Sequence, residues 1–245
     1  MISQFTSGGF FVTLKGMRGN NSQTTERGVA GGLFVFSGAH DGRELKAPYS
    51  TKRLFDIVGA GIGLLFMAPF LPLIALAIKL DTPGPMIVGL ARISGGKIIT
   101  VYKFRSMIRD AHALKPSLAH LNERGDGPFF KIRRDPRVTR VGRVLRKFRI
   151  DEFPQLINVL KGEMSLVGPR PHEPEEVMRY KPEHVVVTLA KAGVTGLSQV
   201  SGASSLSYAR EVELDTHYIH NASLAFDARI LAKTAKIIFS DPTAV

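Results

Sequence analysis

The adjacent carboxylates Asp151 and Glu152 are the residues of this sequence best placed for chemistry, because a proline and a helix-forming run follow them directly. An aspartate ahead of a helix with Pro154 in its first turn is a common helix start, so Asp151 has a simple structural interpretation as a helix N-cap. The same position suits catalysis, since a helix N-terminus attracts phosphate and keeps a carboxylate ionised. One carboxylate could attack phosphorus while its neighbour holds Mg²⁺. Spacing alone leaves both interpretations open.

Basic residues dominate the segment that precedes this pair. Guanidinium groups bind phosphate oxygens through two parallel hydrogen bonds, so a dense basic run predicts a phosphate-binding and membrane-facing surface. A solvated helix face is the plainer alternative. The run comprises Arg124, Lys131, Arg133, Arg134, Arg137, Arg140, Arg143, Arg146, Lys147 and Arg149.

A second candidate group is Arg170, which stands between Pro169 and Pro171 at the end of the segment 162–171. Prolines on both sides restrict the backbone, and this favours a guanidinium that is held in one direction before a ligand arrives. An exposed arginine on a structural turn is the alternative.

The most pronounced feature of the chain is an apolar run without charge between Asp56 and Lys79. About 18–20 apolar residues suffice for a membrane helix. Pro69 and Pro72 interrupt the run near its middle, and basic residues, which favour the cytoplasmic side, flank both of its ends. These observations together predict a re-entrant helix-break-helix hairpin. A kinked helix that spans the membrane is the alternative.

Glycines within the apolar run have a structural explanation. Gly59, Gly61 and Gly63 follow no strand, so a nucleotide-binding glycine motif is not indicated. The four-residue spacing of Gly59 and Gly63 instead predicts close contact between this helix and a neighbour.

The charge balance predicts an anionic partner. The chain has 33 Lys and Arg residues against 21 Asp and Glu, a net charge of +12. Nucleic acid, an acidic membrane surface and a phosphorylated substrate all fit that balance. No zinc-finger, RNP-type or helix-turn-helix pattern is present, so nucleic acid is not an expected partner. The absence of cysteine excludes disulfides, thiolate catalysis and Cys-ligated zinc.

The predicted fold is a mixed α/β, helix-rich membrane protein in three parts. Residues 1–48 are interpreted as a flexible N-terminal tail, with a short strand docked on the body as the alternative. Residues 49–82 form the re-entrant hairpin, and residues 83–245 form a cytoplasmic catalytic domain. The last helix is amphipathic and packs on the body or lies at the membrane surface. The predicted elements are a strand over 98–104 and helices over 110–124, 138–149, 151–160 and 223–239.

The order of these motifs closely resembles the bacterial sugar transferase family, the monotopic phosphoglycosyl transferases, in its short catalytic-core form. The resemblance extends from about residue 50 to residue 240. It rests on Lys52-Arg53, Asp56, the apolar run, Pro83-Gly84-Pro85, Tyr102-Lys103-Phe104-Arg105-Ser106-Met107, Asp135-Pro136-Arg137-Val138-Thr139-Arg140-Val141-Gly142, Asp151-Glu152-Phe153-Pro154-Gln155-Leu156 and the segment 162–171.

The resemblance implies transfer of a sugar-1-phosphate from a UDP-sugar to undecaprenyl phosphate, with release of UMP and a requirement for Mg²⁺. Asp151 would be the nucleophile, Glu152 the Mg²⁺ ligand and Arg170 the phosphate-binding arginine. The motifs that contain Lys103, Arg105, Arg137 and Arg140 would line the same site. The implied location is the cytoplasmic face of the bacterial inner membrane, and the implied partners are membrane lipids and downstream glycosyltransferases.

Three departures from the family pattern bear on activity. Ser198 stands where the family has an aromatic residue, Ala203 where it has an arginine, and Leu90 about where it has a glutamine. The break of the hairpin, usually Ser-Pro, corresponds to Ala68-Pro69. A catalytically weakened scaffold or regulator of glycan assembly is therefore an alternative. The identity of the sugar and the glycan pathway are not encoded in these motifs.

Overall fold

A computed structural model describes residues 49–240 continuously, together with the backbone of four strands between residues 2 and 37. Its strands are β1 (Ile2–Thr6), β2 (Gly9–Leu14), β3 (Thr25–Ala30), β4 (Leu33–Ser37), β5 (Ile87–Ser94), β6 (Lys97–Phe104), β7 (Ser165–Val167) and β8 (Gly193–Thr195). Its α-helices are α1 (Tyr49–Met67), α2 (Leu71–Asp81), α3 (Arg140–Lys147), α4 (Gln155–Lys161), α5 (Pro174–Val177), α6 (Leu197–Val200), α7 (Tyr208–Asn221) and α8 (Leu224–Ser240). The described part is thus mixed α/β and rich in helix.

Strands β5 and β6 form an antiparallel hairpin that carries Lys103 towards the candidate site. Gly95 and Gly96 connect the two strands with φ of 58° and 71°. Glycine reaches positive φ without strain, so this pair suits a tight two-residue turn. In the larger sheet β6 is followed by β4, β3, β2 and β1 in spatial order. Strands β7 and β8 form a separate parallel pair.

The predicted flexible tail, residues 1–48, falls largely outside the described residues. Within it the structure describes the four strands β1 to β4, and Leu33 of β4 pairs with Lys97 of β6. The assignment of 1–48 as a separate tail stays a prediction.

The apolar run forms two helices joined by a short 3₁₀ turn, Ala68–Phe70, at the predicted break. Pro69 lies in the first turn of this segment, and Pro72 lies in the first turn of α2, where a missing N–H costs little. Met67 and Phe70 both keep right-handed helical dihedrals, so the chain stays helical through the break. Within the described residues, Ser50–Asp81 is the one helical stretch long and apolar enough to cross a membrane.

Both arms of this helical segment pack on the same body. Helix α1 lies on α4 and β7, while α2 lies on α3. Close approach of α1 depends on its glycines, because a Cβ at Gly59 would lie 2.5 Å from Leu166 Cδ1 and one at Gly63 would lie 2.7 Å from Leu156 Cδ1. The predicted close helix contact is confirmed at Gly63, which faces α4, whereas Gly59 faces the strand β7.

Charged residues at the two ends attach the apolar segment to the body. At the start of α1, Lys52 Nζ lies 2.6 Å from Asp227 Oδ2, and Asp56 Oδ1 accepts from the Ser165 hydroxyl at 2.9 Å. At the end of α2, Asp81 Oδ2 accepts from the Val141 N–H at 3.0 Å. These contacts are far apart in sequence, so they fix where both arms leave the body.

Three apolar clusters form the interior. The first joins α1, β6, α4, β7 and α8 and includes Ala60, Val159, Met164 and Ile230. The second surrounds Tyr180 and Tyr208, and the third joins α2, β6 and α3 through Ile78, Phe104 and Leu145. Since Leu231 and Ile237 also contact the first cluster, α8 packs on the body, one of the two alternatives for this helix.

Most of the predicted elements are confirmed, with two corrections. The strand over 98–104 is β6, and the helices over 138–149 and 223–239 are α3 and α8. The predicted helix over 110–124 is wrong: this segment forms turns and one 3₁₀ turn, Ala119–Leu121. Asp110 has φ of 59°, and Pro116 supplies no N–H, so a continuous helix is blocked. The predicted helix over 151–160 begins only at Gln155.

Replacing Gly142 tests the packing of α3 against the loop after β6. A Cβ at this position would lie 2.0 Å from the backbone oxygen of Ser106, which cannot move as a flexible side chain could. We expect Gly142→Ala to lower the free energy of unfolding by about 1–3 kcal/mol, the usual cost of overpacking. The control is Gly125→Ala, since a Cβ there has no neighbour within 4 Å. Denaturant unfolding in detergent measures both, and equal stability of the two variants would contradict the assigned contact.

Candidate functional site

Asp151 and Glu152 lie on a 3₁₀ turn, Ile150–Glu152, that connects α3 to α4. The chain enters this turn through Arg149, whose φ of 54° is left-handed and does not continue α3. Asp151 is buried with 6% of its surface exposed, whereas Glu152 is half-buried. Helix α4 has Pro154 as its N-cap and no side-chain cap, so Asp151 does not act as the helix cap that one interpretation of the sequence predicts.

Glu152 is held by an ion pair with Lys103 of β6. The Nζ atom of Lys103 lies 2.7 Å from Glu152 Oε1. Burial would raise the pKa of Glu152, but the charges of Lys103 and Arg170 and the hydrogen bond from Lys103 outweigh burial and lower this pKa to about 2. Glu152 therefore stays ionised at any physiological pH.

Asp151 has the opposite environment, although it is the neighbour of Glu152 in sequence. Burial raises the pKa of Asp151 above its ordinary value; Lys103 and Arg146 oppose this rise, and the charge of Glu152 adds to it. The sequence predicts a carboxylate kept ionised by a helix N-terminus. The helix part of this prediction is wrong, because the short α4 begins four residues later. Burial favours the protonated acid more than water does. Two adjacent carboxylates with separated pKa values are typical of a functional site.

Arg170 is placed on the same side as Glu152 by a loop that follows β7. Its side chain is exposed to solvent, while Pro169 before it is buried. Surrounding protein would lower the pKa of Arg170, but the carboxylates of Glu211 and Glu152 outweigh this and raise it. The structure thus brings together four of the predicted residues around one patch of charge: Lys103, Asp151, Glu152 and Arg170.

The other three predicted residues have contacts elsewhere. Arg105 is buried, and its guanidinium donates to the Pro83, Thr82 and Ile78 carbonyl oxygens at the end of α2, so it caps the apolar segment. Arg137 pairs with Asp135 at 2.6 Å and donates to the Ala111 carbonyl. Arg140 is exposed at the start of α3. Their binding of substrate stays a prediction.

The structure adds residues that the sequence did not single out. Arg146 lies within electrostatic reach of Asp151 and Glu152, and its Nε donates to the Ser106 hydroxyl at 2.9 Å. It belongs to the basic run, but only the packing of α3, which buries Gly142 and Leu145, decides which arginine of the run faces the pair. Behind Arg170 lies a further set of ionisable residues: His172, Glu176, Glu211 and Asp215.

The basic run does not form one surface. Arg124 forms an ion pair with Glu211, and Arg137 forms one with Asp135. Exposed members of the run are Arg133, Arg134, Arg140, Arg143 and Lys147. The dense charge therefore divides between contacts within the protein and a solvent-facing basic surface.

A divalent cation would find one suitable ligand in this site. Among the residues that the structure describes, no three His, Cys, Asp or Glu side chains converge into a metal cluster. Mg²⁺ in phosphate-transfer sites needs only one or two carboxylates, because substrate phosphates supply further oxygens. Glu152, ionised and partly exposed, meets that requirement.

Two of the departures from the family pattern, Ser198 and Ala203, lie in the segment between β8 and α7. Ser198 and Ala203 are buried, and Ala203 adopts φ of 45°, a left-handed conformation that is unusual for a residue with a side chain. Ser198 lies beside Asp215, one of the ionisable residues behind Arg170.

Fold and site together define a helix-rich α/β protein that carries a long apolar helix and an acidic pair flanked by cations suited to phosphate. Residues 47–241 match the family described as bacterial sugar transferase. The chain belongs to this family.

Relatives of known name support this assignment. The chain is 42% identical over 191 residues to the undecaprenyl-phosphate galactose phosphotransferase of Salmonella typhimurium, which covers 76% of this chain and 40% of that protein. It is 38% identical over 188 residues to the exopolysaccharide production protein ExoY of Rhizobium meliloti, covering 75% of this chain and 83% of that protein. It is 40% identical over 200 residues to the undecaprenyl-phosphate glucose phosphotransferase of Komagataeibacter xylinus, covering 76% of this chain and 35% of that protein. The chain thus spans less than half of the two phosphotransferases and most of ExoY.

Removing Lys103 tests the charge distribution of the pair. Lys103→Met deletes an ion pair and a hydrogen bond to the ionised Glu152, so we expect its pKa to rise from about 2 towards the ordinary 4.5, and that of Asp151 to rise further. In the wild type, ionised Glu152 stabilises the fold above pH 4.5, and this stabilisation is lost as the pH falls towards 2. The variant should lack this stabilisation. Carboxyl ¹³C NMR titration measures the pKa values. Lys97→Met, exposed on the same strand, is the control, and a Glu152 pKa that stays near 2 would contradict the assignment.

Proposed function

We propose that this protein transfers a sugar-1-phosphate from a UDP-sugar to undecaprenyl phosphate and releases UMP. The reaction would be the first membrane step of exopolysaccharide, capsule or O-antigen synthesis. The observation that carries the proposal is an acidic pair whose two members differ: Glu152 is ionised in an ion pair with Lys103, and Asp151 beside it is buried. The same body also holds a long apolar helix. A water-soluble and a lipid-bound phosphate need a site of this kind at the membrane boundary.

Asp151 is the nucleophile in this proposal. Its carboxylate oxygen attacks the β-phosphorus of the UDP-sugar, the bond from that phosphorus to the oxygen shared with the α-phosphate breaks, and UMP leaves. An oxygen of the lipid phosphate then attacks the phosphorus of the phospho-sugar enzyme intermediate. This step breaks the bond to Asp151, releases its carboxylate and yields the polyprenyl diphosphate sugar. Burial of Asp151 supports the role, since water that could hydrolyse the intermediate is kept away.

Glu152 would hold Mg²⁺, which when bound offsets charge on the phosphate oxygens. The low pKa of Glu152 supports this assignment, because the carboxylate needs no deprotonation before it binds a cation. Lys103 keeps Glu152 in place and lies close enough to Asp151 to favour its ionised, attacking form.

Arg170 would bind the diphosphate. Its guanidinium is exposed and remains charged, and the loop that carries it is bounded by prolines. Arginine binds phosphate oxygens in a planar, two-bond geometry, so a fixed backbone at this residue favours one orientation of the leaving UMP.

We also propose that the apolar segment is a re-entrant hairpin and that the body lies on the cytoplasmic face of the bacterial inner membrane. Two observations support re-entry: α1 and α2 pack on the same body, and charged residues at both ends bind that body. The apolar side chains near the break are largely exposed, as expected for residues that contact lipid. They include Ile62, Leu65, Phe66, Phe70, Leu73 and Leu76.

Helices α3 and α4 would lie at the level of the lipid head groups. Exposed apolar residues on the elements that the two arms contact are Val144 of α3, Phe148 directly after it, and Ile157 and Leu160 of α4. Exposed Arg143 and Lys147 accompany them on α3. Apolar groups with neighbouring cations suit the interface of an anionic leaflet. The acidic pair, which lies between α3 and α4, would then sit where the lipid phosphate resides.

The alternative of a catalytically weakened scaffold has no comparable support, because the ion pair and the buried carboxylate are intact. The departure at Ser198 faces Asp215 rather than the acidic pair.

Asp151→Asn tests the nucleophile. With a panel of UDP-sugars, polyprenyl phosphate and Mg²⁺, we expect the wild type to release UMP from at least one sugar and the variant to be slower by about 10³-fold or more, since a covalent nucleophile has no substitute. Wild-type protein mixed with the active UDP-sugar should also gain the mass of one phospho-sugar in intact-protein mass spectrometry, and the variant should not.

Asp110→Asn is the matched control, because Asp110 is exposed and distant from the pair in sequence. It should retain full activity. Unchanged turnover in Asp151→Asn would remove the nucleophile assignment, and a wild type inactive on every UDP-sugar with this lipid would remove the proposed function.

Single cysteines test re-entry, because the natural chain contains none. Ser50 and Lys97 are exposed and lie on opposite sides of the apolar segment in sequence. In sealed inverted membrane vesicles we expect Ser50→Cys and Lys97→Cys to react equally with a membrane-impermeant maleimide. Labelling of one site before detergent is added and of the other only afterwards would establish a through-span and exclude the hairpin.

A further inference from the structure

The loop that carries Arg170 is fixed by main-chain hydrogen bonds on both sides of that residue. The Gly168 N–H donates to the Thr195 carbonyl at 3.0 Å, and the Pro169 carbonyl accepts from the Gly193 N–H at 2.8 Å. Two residues beyond Arg170, the His172 carbonyl accepts from the Ile93 N–H at 3.0 Å. The loop is thus bound to β8 before Arg170 and to β5 after it.

Arg170 itself offers one backbone donor through which the loop can be held. Because Pro169 and Pro171 lack an N–H, the amide of Arg170 is the sole backbone donor of the tripeptide. The group that faces this N–H is the carboxylate of Asp215, which reaches it from α7. Asp215 has 1% of its surface exposed, so this carboxylate is sealed from solvent.

Asp215 is incompletely satisfied where it lies. The Ser198 hydroxyl faces the same carboxylate, yet neither Ser198 Oγ nor Asp215 Oδ1 has a partner in good hydrogen-bond geometry among the described residues. Burial raises the pKa of Asp215 to about 6, although Ser198, His172 and the Arg170 N–H lower it. A buried carboxylate without full hydrogen bonding destabilises the fold, so its presence calls for a role other than stability.

The neighbouring carboxylates are already engaged. Glu211 pairs with Arg124 at 3.2 Å, and His172 lies between Glu211 and Glu176 at 3.9 and 3.8 Å. The His172 ring also stacks on Phe129, with ring centroids 4.6 Å apart. Asp215 differs from these carboxylates because the backbone N–H of Arg170 is among the groups that it faces. The groups that face it are Ser198 from α6, Glu211 from α7, and His172 and the Arg170 amide from the loop.

We propose that Asp215 is a positioning residue for Arg170: from α7 it holds the Arg170 amide, and thereby directs the guanidinium towards the diphosphate of the nucleotide-sugar. Asp215 does not touch the substrate. The inference rests on the proposed function, and it assigns to a buried acid a role in binding the diphosphate. Displacing a binding group by a fraction of an ångström weakens its contacts without unfolding the protein.

The experiment is a double-mutant cycle on UDP binding, measured by isothermal titration calorimetry in detergent with Mg²⁺. Arg170→Ala, Asp215→Ala and the double variant are compared with the wild type. We expect Asp215→Ala to weaken UDP binding about tenfold, below the roughly 10²-fold that a 1 Å displacement can cost. In the Arg170→Ala background the same replacement should have no further effect, because Asp215 acts through Arg170.

Two more variants separate positioning from a structural role. Asp215→Asn retains an oxygen that can accept from the Arg170 amide, so it should bind UDP more tightly than Asp215→Ala. It should also melt no lower than the wild type at pH 8, since it removes an ionised carboxylate whose pKa burial raises to about 6. Glu213→Gln, exposed on the same helix, is the control and should bind UDP as the wild type does. Should Asp215→Ala fail to fold, Asp215→Asn replaces it in the cycle.

Equal weakening by the Asp215 replacement with and without Arg170 would overturn the inference, as would unchanged UDP binding in Asp215→Ala. An Arg170→Ala variant that binds UDP normally would also overturn it. None of these results alters UMP release by the wild type, so the proposed function stands or falls separately.

Discussion

Lys103 donates a hydrogen bond to Glu152 but acts on Asp151 only through its charge, and this difference gives two neighbouring carboxylates different properties. Glu152 is ionised and partly exposed, whereas the pKa of buried Asp151 is raised. Two equivalent ionised groups at this separation would repel each other and share one proton. The strand that carries Lys103 and the 3₁₀ turn that carries the pair must therefore keep a fixed separation, and the apolar cluster around Phe104 and Leu145 joins them.

The apolar segment is subject to a second constraint, because both of its arms rest on the body that holds the acidic pair. Arg105, which the sequence placed in the site, instead binds the carbonyl oxygens at the end of α2. Lys52 and Asp56 attach the beginning of α1 in a similar way. Charged residues beside the apolar run thus attach both of its ends to the body. They fix the height of the acidic pair relative to the apolar segment, which matters if one substrate stays in the bilayer.

Much of the candidate site was predictable from the sequence, because its residues occur in short motifs. Asp151 and Glu152 are adjacent, Arg170 lies between two prolines, and Lys103 lies in a segment whose pattern predicts a strand. The helical break at Pro69 follows from the chemistry of proline itself. The prediction of a helix over 110–124 was wrong for a related reason. Asp110 and Pro116 interrupt this polar run, so it forms turns instead of a helix.

The sequence by itself determined which side chains are available, where the helix breaks and which residues flank the acidic pair, since these depend on covalent neighbours. Only the tertiary structure decided which cation each carboxylate meets. Lys103 and Glu152 are separated by 49 positions, and Asp215 faces the Arg170 amide from a different element. Burial, and with it the raised pKa of Asp151, depends on the same long-range packing. Contacts of this kind leave no local pattern, because they depend on distances in space rather than along the chain.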